Sequence, residues 1–390
     1  MSELTSTFDG LSVEKLRRRG SLKWTEFGAD VLPLWVAEMD FPAAPAVRAA
    51  IEDAVAREEF GYPAADGDTG LPQAVADWQK AAHGWEVDPT RVHLLPDVLK
   101  GVELAIEHYS PEGSAVILPT PAYMPFFEVP KVINRPIIEV PTRLENGYRR
   151  LDLDGIDKAF RQGAGTIVLC SPYNPLGRSF DASELAALCA VVERNGERVV
   201  SDEVHSPLTY PGRRHVPYAS ISPAAAGHSV TVVSASKAWN LPGLKCAQLI
   251  THTDADEQRW QTISMMKTHG ASTIGIRSNV AAFRDGGPWL GEVVDYLDGN
   301  RRLLGELLAT HLPEVGYLMP EATYLAWLDC RELHLPVEPA DYFLEHAHVA
   351  TNPGPPFGRY GAGHVRLNFA TSRSILEQAV IAMAKAVRGG

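Results

Sequence analysis

From Arg91 onward, short apolar runs alternate with helical stretches, and no other feature restricts the fold of this chain as strongly. The runs V-H-L-L (92–95), A-V-I-L (115–118), T-I-V-L-C (166–170), R-V-V-S (198–201), V-T-V-V-S (230–234) and C-A-Q-L-I-T (246–251) are too short for buried helices and read as strands. Helical patterns lie between several of them, from Val98 to Tyr109, Leu153 to Gln162 and Ala182 to Asn195. Strands that are apolar throughout need cover on both faces, so the pattern predicts an α/β fold with a mainly parallel sheet. In such sheets functional groups gather at the C-terminal strand ends.

The flanking segments follow other patterns. D-V-L-P-L-W-V-A-E-M-D-F-P carries apolar residues without helical period, and Pro42 with Pro45 marks the start of a helix from Ala46 to Glu59. A long helical region, roughly Glu257 to Phe283, is expected to stop at D-G-G-P. A helix from Leu290 to Leu312, the strand T-Y-L-A-W-L-D and a last helix from Ser374 to Val387 follow. The 390 residues suffice for two cores. The expected division is an arm over 1–48 that completes the small domain, a large domain over 49–285 and a smaller α+β domain over 286–390. No internal repeat interrupts this plan.

The net charge of −12 argues against nucleic acid or an anionic membrane as the main partner. The cluster Lys15, Arg17, Arg18 and Arg19 reads as solvated surface. No apolar run reaches the roughly 20 residues needed to cross a bilayer, and the first nine residues are polar, so a cytoplasmic protein is expected. The four cysteines, Cys170, Cys189, Cys246 and Cys330, lack C-x-x-C spacing and are expected to be reduced and buried, and no metal site is expected.

The chemistry concentrates after strand ends. V-T-V-V is followed by S-A-S-K, and Lys237 stands just past a core strand, where an ammonium loses hydration and its pKa falls. A Schiff-base lysine needs that, because its amine must be free to attack an aldehyde. Ser234 and Ser236 leave room for a phosphate, and Lys245, after the Pro242–Gly243 turn, brings a second cation. Together they suggest an aldehyde cofactor that carries a phosphate, pyridoxal 5'-phosphate.

Other strand ends supply matching groups. Asp202 follows R-V-V-S and suits the pyridine nitrogen, keeping the ring protonated and electron-withdrawing; Asn174, in S-P-Y-N-P-L-G-R, suits the ring oxygen. Tyr123, after A-V-I-L-P-T-P, suits stacking on the ring. Val98 and Leu99 open a helix whose free amides suit the phosphate, while Asp97, which would repel that phosphate, is expected to cap the helix. Arg366, in G-H-V-R-L-N-F-A, suits bidentate capture of a substrate carboxylate.

With these residues assembled, the chain resembles fold-type I pyridoxal-phosphate enzymes of the aminotransferase superfamily, and more narrowly the PatB/MalY-type cystathionine β-lyases. The resemblance runs through L-P-L-W-V-A-E-M-D-F, F-G-Y-P, P-A-Y, S-P-Y-N-P-L-G-R, S-D-E-V-H-S-P-L, S-A-S-K-A-W-N-L-P-G-L-K, T-Y-L-A-W-L-D and G-H-V-R-L-N-F-A, in the family's order. It implies a homodimer with shared sites, in which Tyr62 reaches in from the other subunit. It implies that Lys237, Asp202 and Tyr123 act in catalysis and that Ser234, Ser236, Lys245, Asn174 and His205 hold the cofactor. Arg366 would bind the substrate carboxylate, and Trp35, Val36 and Ala37 would border the substrate pocket. The implied reaction is α,β-elimination from L-cystathionine or a related cysteine S-conjugate, giving a thiol, pyruvate and ammonia. The alternatives are an aminotransferase, against which His205 after D-E-V speaks, and a non-catalytic regulatory protein on the same fold. Four positions depart from the family pattern. Tyr173 replaces histidine, Asp97 glycine, Glu38 aspartate and Trp239 phenylalanine; Trp239 is expected to reshape the pocket.

Overall fold

The computed structural model describes residues 3–389, so Met1 and Ser2 of the arm and Gly390 of the C-terminal unit lie outside the described residues. Seven strands form the central sheet: β1 Val92–Leu95, β2 Ala115–Thr120, β3 Ile137–Pro141, β4 Ala164–Cys170, β5 Arg198–Asp202, β6 Ser229–Val233 and β7 Ala247–Ile250. Their order is β1-β7-β6-β5-β4-β2-β3, and β7 alone runs antiparallel to its neighbours. All six apolar runs are strands of this sheet. The edge strand β3 was not among them, because Glu139 interrupts its apolar run and all its residues but Val140 are only partly buried.

The middle of the sheet is dry. Val116, Ile117, Ile167, Leu169, Val199, Val200, Val230 and Val232 are almost fully buried, and at roughly 25 cal/mol per Å² such side chains supply most of the stabilisation. The helices Val98–Tyr109 and Ala182–Asn195 have the expected bounds, and each has a side-chain cap. Asp97 accepts from Lys100 N, and Asp181 with Glu184 forms a capping box. Gly101 lets the first of these helices lie against β6, since a Cβ there would come within 2.7 Å of Val232 Cγ1.

A second sheet contains β8 Gly316–Tyr317, β9 Leu325–Asp329, β10 Asn352–Pro353 and β11 His364–Asn368, antiparallel in the order β8-β9-β11-β10. The helix Gly287–His311 leads into it, and the helix Arg373–Gly389 packs on that helix.

Two expectations need correction. The region from Glu257 to Phe283 is three helices, Asp254–Trp260, Met265–Thr268 and Thr273–Asp285. Ser264 and Ser272 each cap a new start, and Gly270 between them takes φ +123°, so the chain restarts twice. The arm, in turn, holds three short helices, Glu3–Asp9, Val13–Arg17 and Leu22–Thr25, before its extended part. Arg17 is not free surface: its guanidinium donates to Trp24 O, Gly28 O and Val31 O, whereas Lys15, Arg18 and Arg19 are exposed.

The extended part of the arm is sewn to the second sheet. Leu32–Pro33 pairs with Val349–Ala350, Asn368 N donates to Leu34 O, and Asn368 Nδ2 donates to both Val36 O and Glu38 O at 2.7 Å. Behind it, Lys23 and Asp40 form a buried ion pair at 2.9 Å, with Trp24 Nε1 also donating to Asp40. All four cysteines are buried and free, as expected. No described helix is long and apolar enough to cross a membrane.

Candidate active site

The parallel register brings the expected residues together. Cys170 pairs with Asp202, and Asp202 with Val232, so the segments leaving β4, β5 and β6 emerge side by side carrying Asn174, Asp202 and Lys237. They enclose a cavity of about 220 Å³, also lined by Tyr123, Val98, Leu99, Ser236, Lys245 and His205.

Lys237 donates from Nζ to Ala37 O at 3.0 Å. Burial, helped by the charge of Arg366, lowers its pKa to about 8 against the opposing pull of Asp202 and Glu38. Burial thus favours the neutral amine relative to an exposed lysine. Asp202 is buried at the end of β5, where Val204 N donates to it at 3.0 Å, and burial pushes its pKa up to about 7. His205 is buried beside both; burial and the charges of Lys237 and Arg366 hold it well below its ordinary value, and its Nδ1 has no hydrogen-bond partner. Burial also raises the Tyr123 phenol.

Arg366 has 2% of its surface exposed. It donates to Asn174 Oδ1 at 3.1 Å, to Trp35 O at 3.1 Å and to Asn352 Oδ1, and lies 5.2 Å from the centre of the Phe357 ring. All three acceptors are neutral, Nε has no partner, and no carboxylate pairs with this guanidinium among the described residues. Burial lowers its pKa to about 10, so it keeps its charge. A buried cation without a counter-ion is costly unless an anionic ligand completes it.

The carbonyls of Trp35 and Ala37 accept from Arg366 and Lys237, whereas that of Val36 accepts from Asn368, and none of the three residues lines the cavity. Ser234 does not line the cavity. Its hydroxyl donates to Cys246 O and accepts from Ser236 N, which shapes the turn before Lys237. Tyr62 is fully exposed, in a separate hollow with Glu59 and Arg277. Trp239 does not reshape the cavity: it packs on Trp78 and Phe283 and donates to Gly286 O, because the turn directs it into the core. Tyr173 likewise turns inward, to Pro119 O and Phe180.

Three residues that hold this arrangement were not singled out from the sequence. Tyr324 donates to Ala37 O at 3.0 Å, sharing the acceptor of Lys237. Asn240 clasps both backbone groups of Met39 at 2.8 Å, and Asn352 braces Arg366. Only Asn240 left a signal: an asparagine in a turn favours positive φ, and it has φ +58°.

The residues present fit pyridoxal phosphate. An amine with a lowered pKa, a buried carboxyl, an aromatic ring and the open N-terminal turn of a helix face one cavity, where the buried His205 Nδ1 lacks a partner. This fold and site define a fold-type I pyridoxal-phosphate enzyme. The chain belongs to the aminotransferase class I and II family, whose family model matches residues 29–383. Within that family it is 39% identical to a cystathionine beta-lyase of Corynebacterium glutamicum, covering 94% of this chain and 96% of the relative. It is 32% identical to the cystathionine beta-lyase PatB of Bacillus subtilis, covering 92% and 94%. The structure of the PLP-bound C–S lyase from Staphylococcus hominis superposes with a TM-score of 0.91 at 25% identity, covering 97% of this chain and 98% of that one.

Proposed function

We infer that the protein is a pyridoxal-phosphate-dependent carbon–sulfur β-lyase. It cleaves L-cystathionine or related cysteine S-conjugates by α,β-elimination to a thiol and an aminoacrylate, which water hydrolyses to pyruvate and ammonia. The observation that carries this reading is the buried, uncompensated Arg366 beside an amine whose pKa is held near 8. An amino-acid carboxylate supplies the missing counter-charge, and full-length likeness to cystathionine beta-lyases supports the sulfur chemistry.

When bound, pyridoxal phosphate supplies an aldehyde for the amine and an electron-withdrawing ring that stabilises negative charge at the substrate α-carbon. The roles assigned to the chain's own groups follow from their positions. Arg366 anchors the α-carboxylate, fixing which α-substituent faces Lys237. The neutral Lys237 amine, oriented by Ala37 O, takes the α-proton as general base and then holds a proton to give to the departing thiolate. Asp202, Asn174, His205 and Tyr123, which line one cavity, would hold the ring, with the buried Asp202 carboxyl keeping it protonated. Val98, Leu99, Ser236 and Lys245 receive the phosphate, and Ser234 supports that cup through Ser236 N.

The dimer belongs to the same proposal: a fully exposed Tyr62, which does not line its own chain's cavity, suits donation to a partner's site. We also propose an arm, a large and a small domain divided near residues 48 and 285, the latter between the helices Thr273–Asp285 and Gly287–His311.

Incubation with L-cystathionine and no keto acid tests the reading. Sustained release of pyruvate and ammonia is expected, whereas a single stoichiometric half-reaction would assign an aminotransferase. Borohydride reduction followed by peptide mapping is expected to place a pyridoxyl group on Lys237, and a protein that takes no tag would contradict the proposal.

A further inference from the structure

Beside the first turn of the helix Val98–Tyr109, the structure holds an anion of its own. Asp97 divides its carboxylate: Oδ1 accepts from Lys100 N at 2.9 Å and caps the helix, while Oδ2 pairs with Lys245 Nζ at 3.0 Å. Asp97 and Lys245 line the same cavity as Val98, Leu99 and Ser236, the groups assigned above to a phosphate. The cation available for that phosphate is thus already engaged by a carboxylate at the same helix end. Lys245 is presented there by its backbone, in the left-handed region at φ +48° after the turn Pro242–Leu244, with its carbonyl held by Ser272 N.

We propose that Asp97 is an internal competitor for the phosphate subsite, a latch that holds Lys245 until a phosphate ester displaces it and that weakens cofactor retention throughout. The inference rests on the pyridoxal-phosphate reading. The partners keep 58% and 40% of their side-chain surface exposed, so the pair is a weak, solvent-screened contact that opens readily. Once it opens, Lys245 turns to the incoming dianion, but Asp97 stays beside it, since Oδ1 remains bound to the helix amide. A carboxylate left beside a phosphate dianion, in surroundings close to water, lowers affinity by about fivefold to twentyfold. The same carboxylate gives the empty cup a counter-charge and keeps Lys245 in place.

The decisive variant is Asp97→Asn, which keeps an oxygen for the cap and removes the charge. Pyridoxal phosphate is titrated into the apoprotein, followed by absorbance and tryptophan fluorescence, with inorganic phosphate as a second probe followed by thermal shift. The variant is expected to bind both probes about fivefold to twentyfold more tightly, with the difference shrinking in 0.5 M salt as the repulsion is screened. Lys245→Met is expected to weaken binding more in the Asp97→Asn background than in the wild type, because there the lysine need not leave a partner. Asp97→Ser, which also caps, serves if the amide variant folds poorly. Unchanged or weaker binding in the charge-free variant would overturn the latch. A wild type that neither binds pyridoxal phosphate nor takes the borohydride tag would instead bring down the functional reading itself, and the latch with it.

Discussion

Replacing Arg366 by glutamine isolates the interaction on which the functional reading depends. The side chain is 2% exposed, remains cationic with a pKa near 10, and meets only neutral oxygens of Asn174, Trp35 and Asn352. A substrate carboxylate entering this site becomes its sole counter-ion among the described residues. Breaking a buried pair from one side costs about 3–5 kcal/mol. At 1.36 kcal/mol per factor of ten, kcat/KM is expected to fall roughly 150- to 5000-fold. Arg366→Lys keeps the charge but loses the planar fork and its braces, a deficit of about 1.5–3 kcal/mol. The assay is release of thiol, which reports equally on an S-alkyl cysteine and on the matching S-alkyl cysteamine that lacks the carboxylate. For the cysteamine the wild type is expected to be poor and Arg366→Gln hardly worse, since the interaction is already gone. An equal loss on both compounds would refute the argument, because Arg366 would then act on the fold or the cofactor and not on the carboxylate. Stability offers a second check. The apoprotein gives up a buried cation with no paired anion, so its urea midpoint is expected to stay near that of the wild type.

Two further outcomes follow from buried charges. Asp202 has a folded-state pKa of about 7, raised by burial above the roughly 4 of an unfolded chain. The folded apoprotein therefore keeps that proton where the unfolded chain loses it, and the contribution of this one group to stability falls as pH rises from about 4 to 7, by on the order of 4 kcal/mol. Asp202→Asn removes this contribution, so the change in stability from pH 5 to pH 8 in urea titrations is expected to be more favourable than in the wild type, and an unaltered difference would contradict the assignment. Asp40→Asn leaves Lys23 buried without its ion-pair partner and is expected to cost about 3–5 kcal/mol, while Lys23→Met with Asp40→Leu costs less. A single variant within 1 kcal/mol of the wild type, measured by urea unfolding, would show that the arm is not held by this pair.

Much of the fold was legible because its signals are local. The six apolar runs are central-sheet strands, and the helices behind Asp97 and Asp181 begin at residues whose side chains cap them. Lys237, Asp202, Asn174 and Tyr123 could be singled out together because each ends or follows a strand, and parallel strands deliver their C-terminal ends to one edge. From Glu257 to Phe283 the helical pattern was read through Gly270, and the serine caps on either side of that glycine went unread.

Chain order and residue type thus determined the sheet, the cavity's edge and the chemical classes gathered there. The tertiary structure alone decided how those groups are held. The antiparallel direction of β7 and the use of the Ser234 hydroxyl for the turn are examples, as is the inward rotation of Trp239. So is the meeting of Tyr324 and Lys237 at the carbonyl of Ala37. The acceptor of Lys237 lies 200 residues away from it in sequence, and one of the three acceptors of Arg366, Trp35 O, lies 331 away. Periodicity reports which face of an element is apolar, but a hydrogen bond across such distances depends on how two finished surfaces meet.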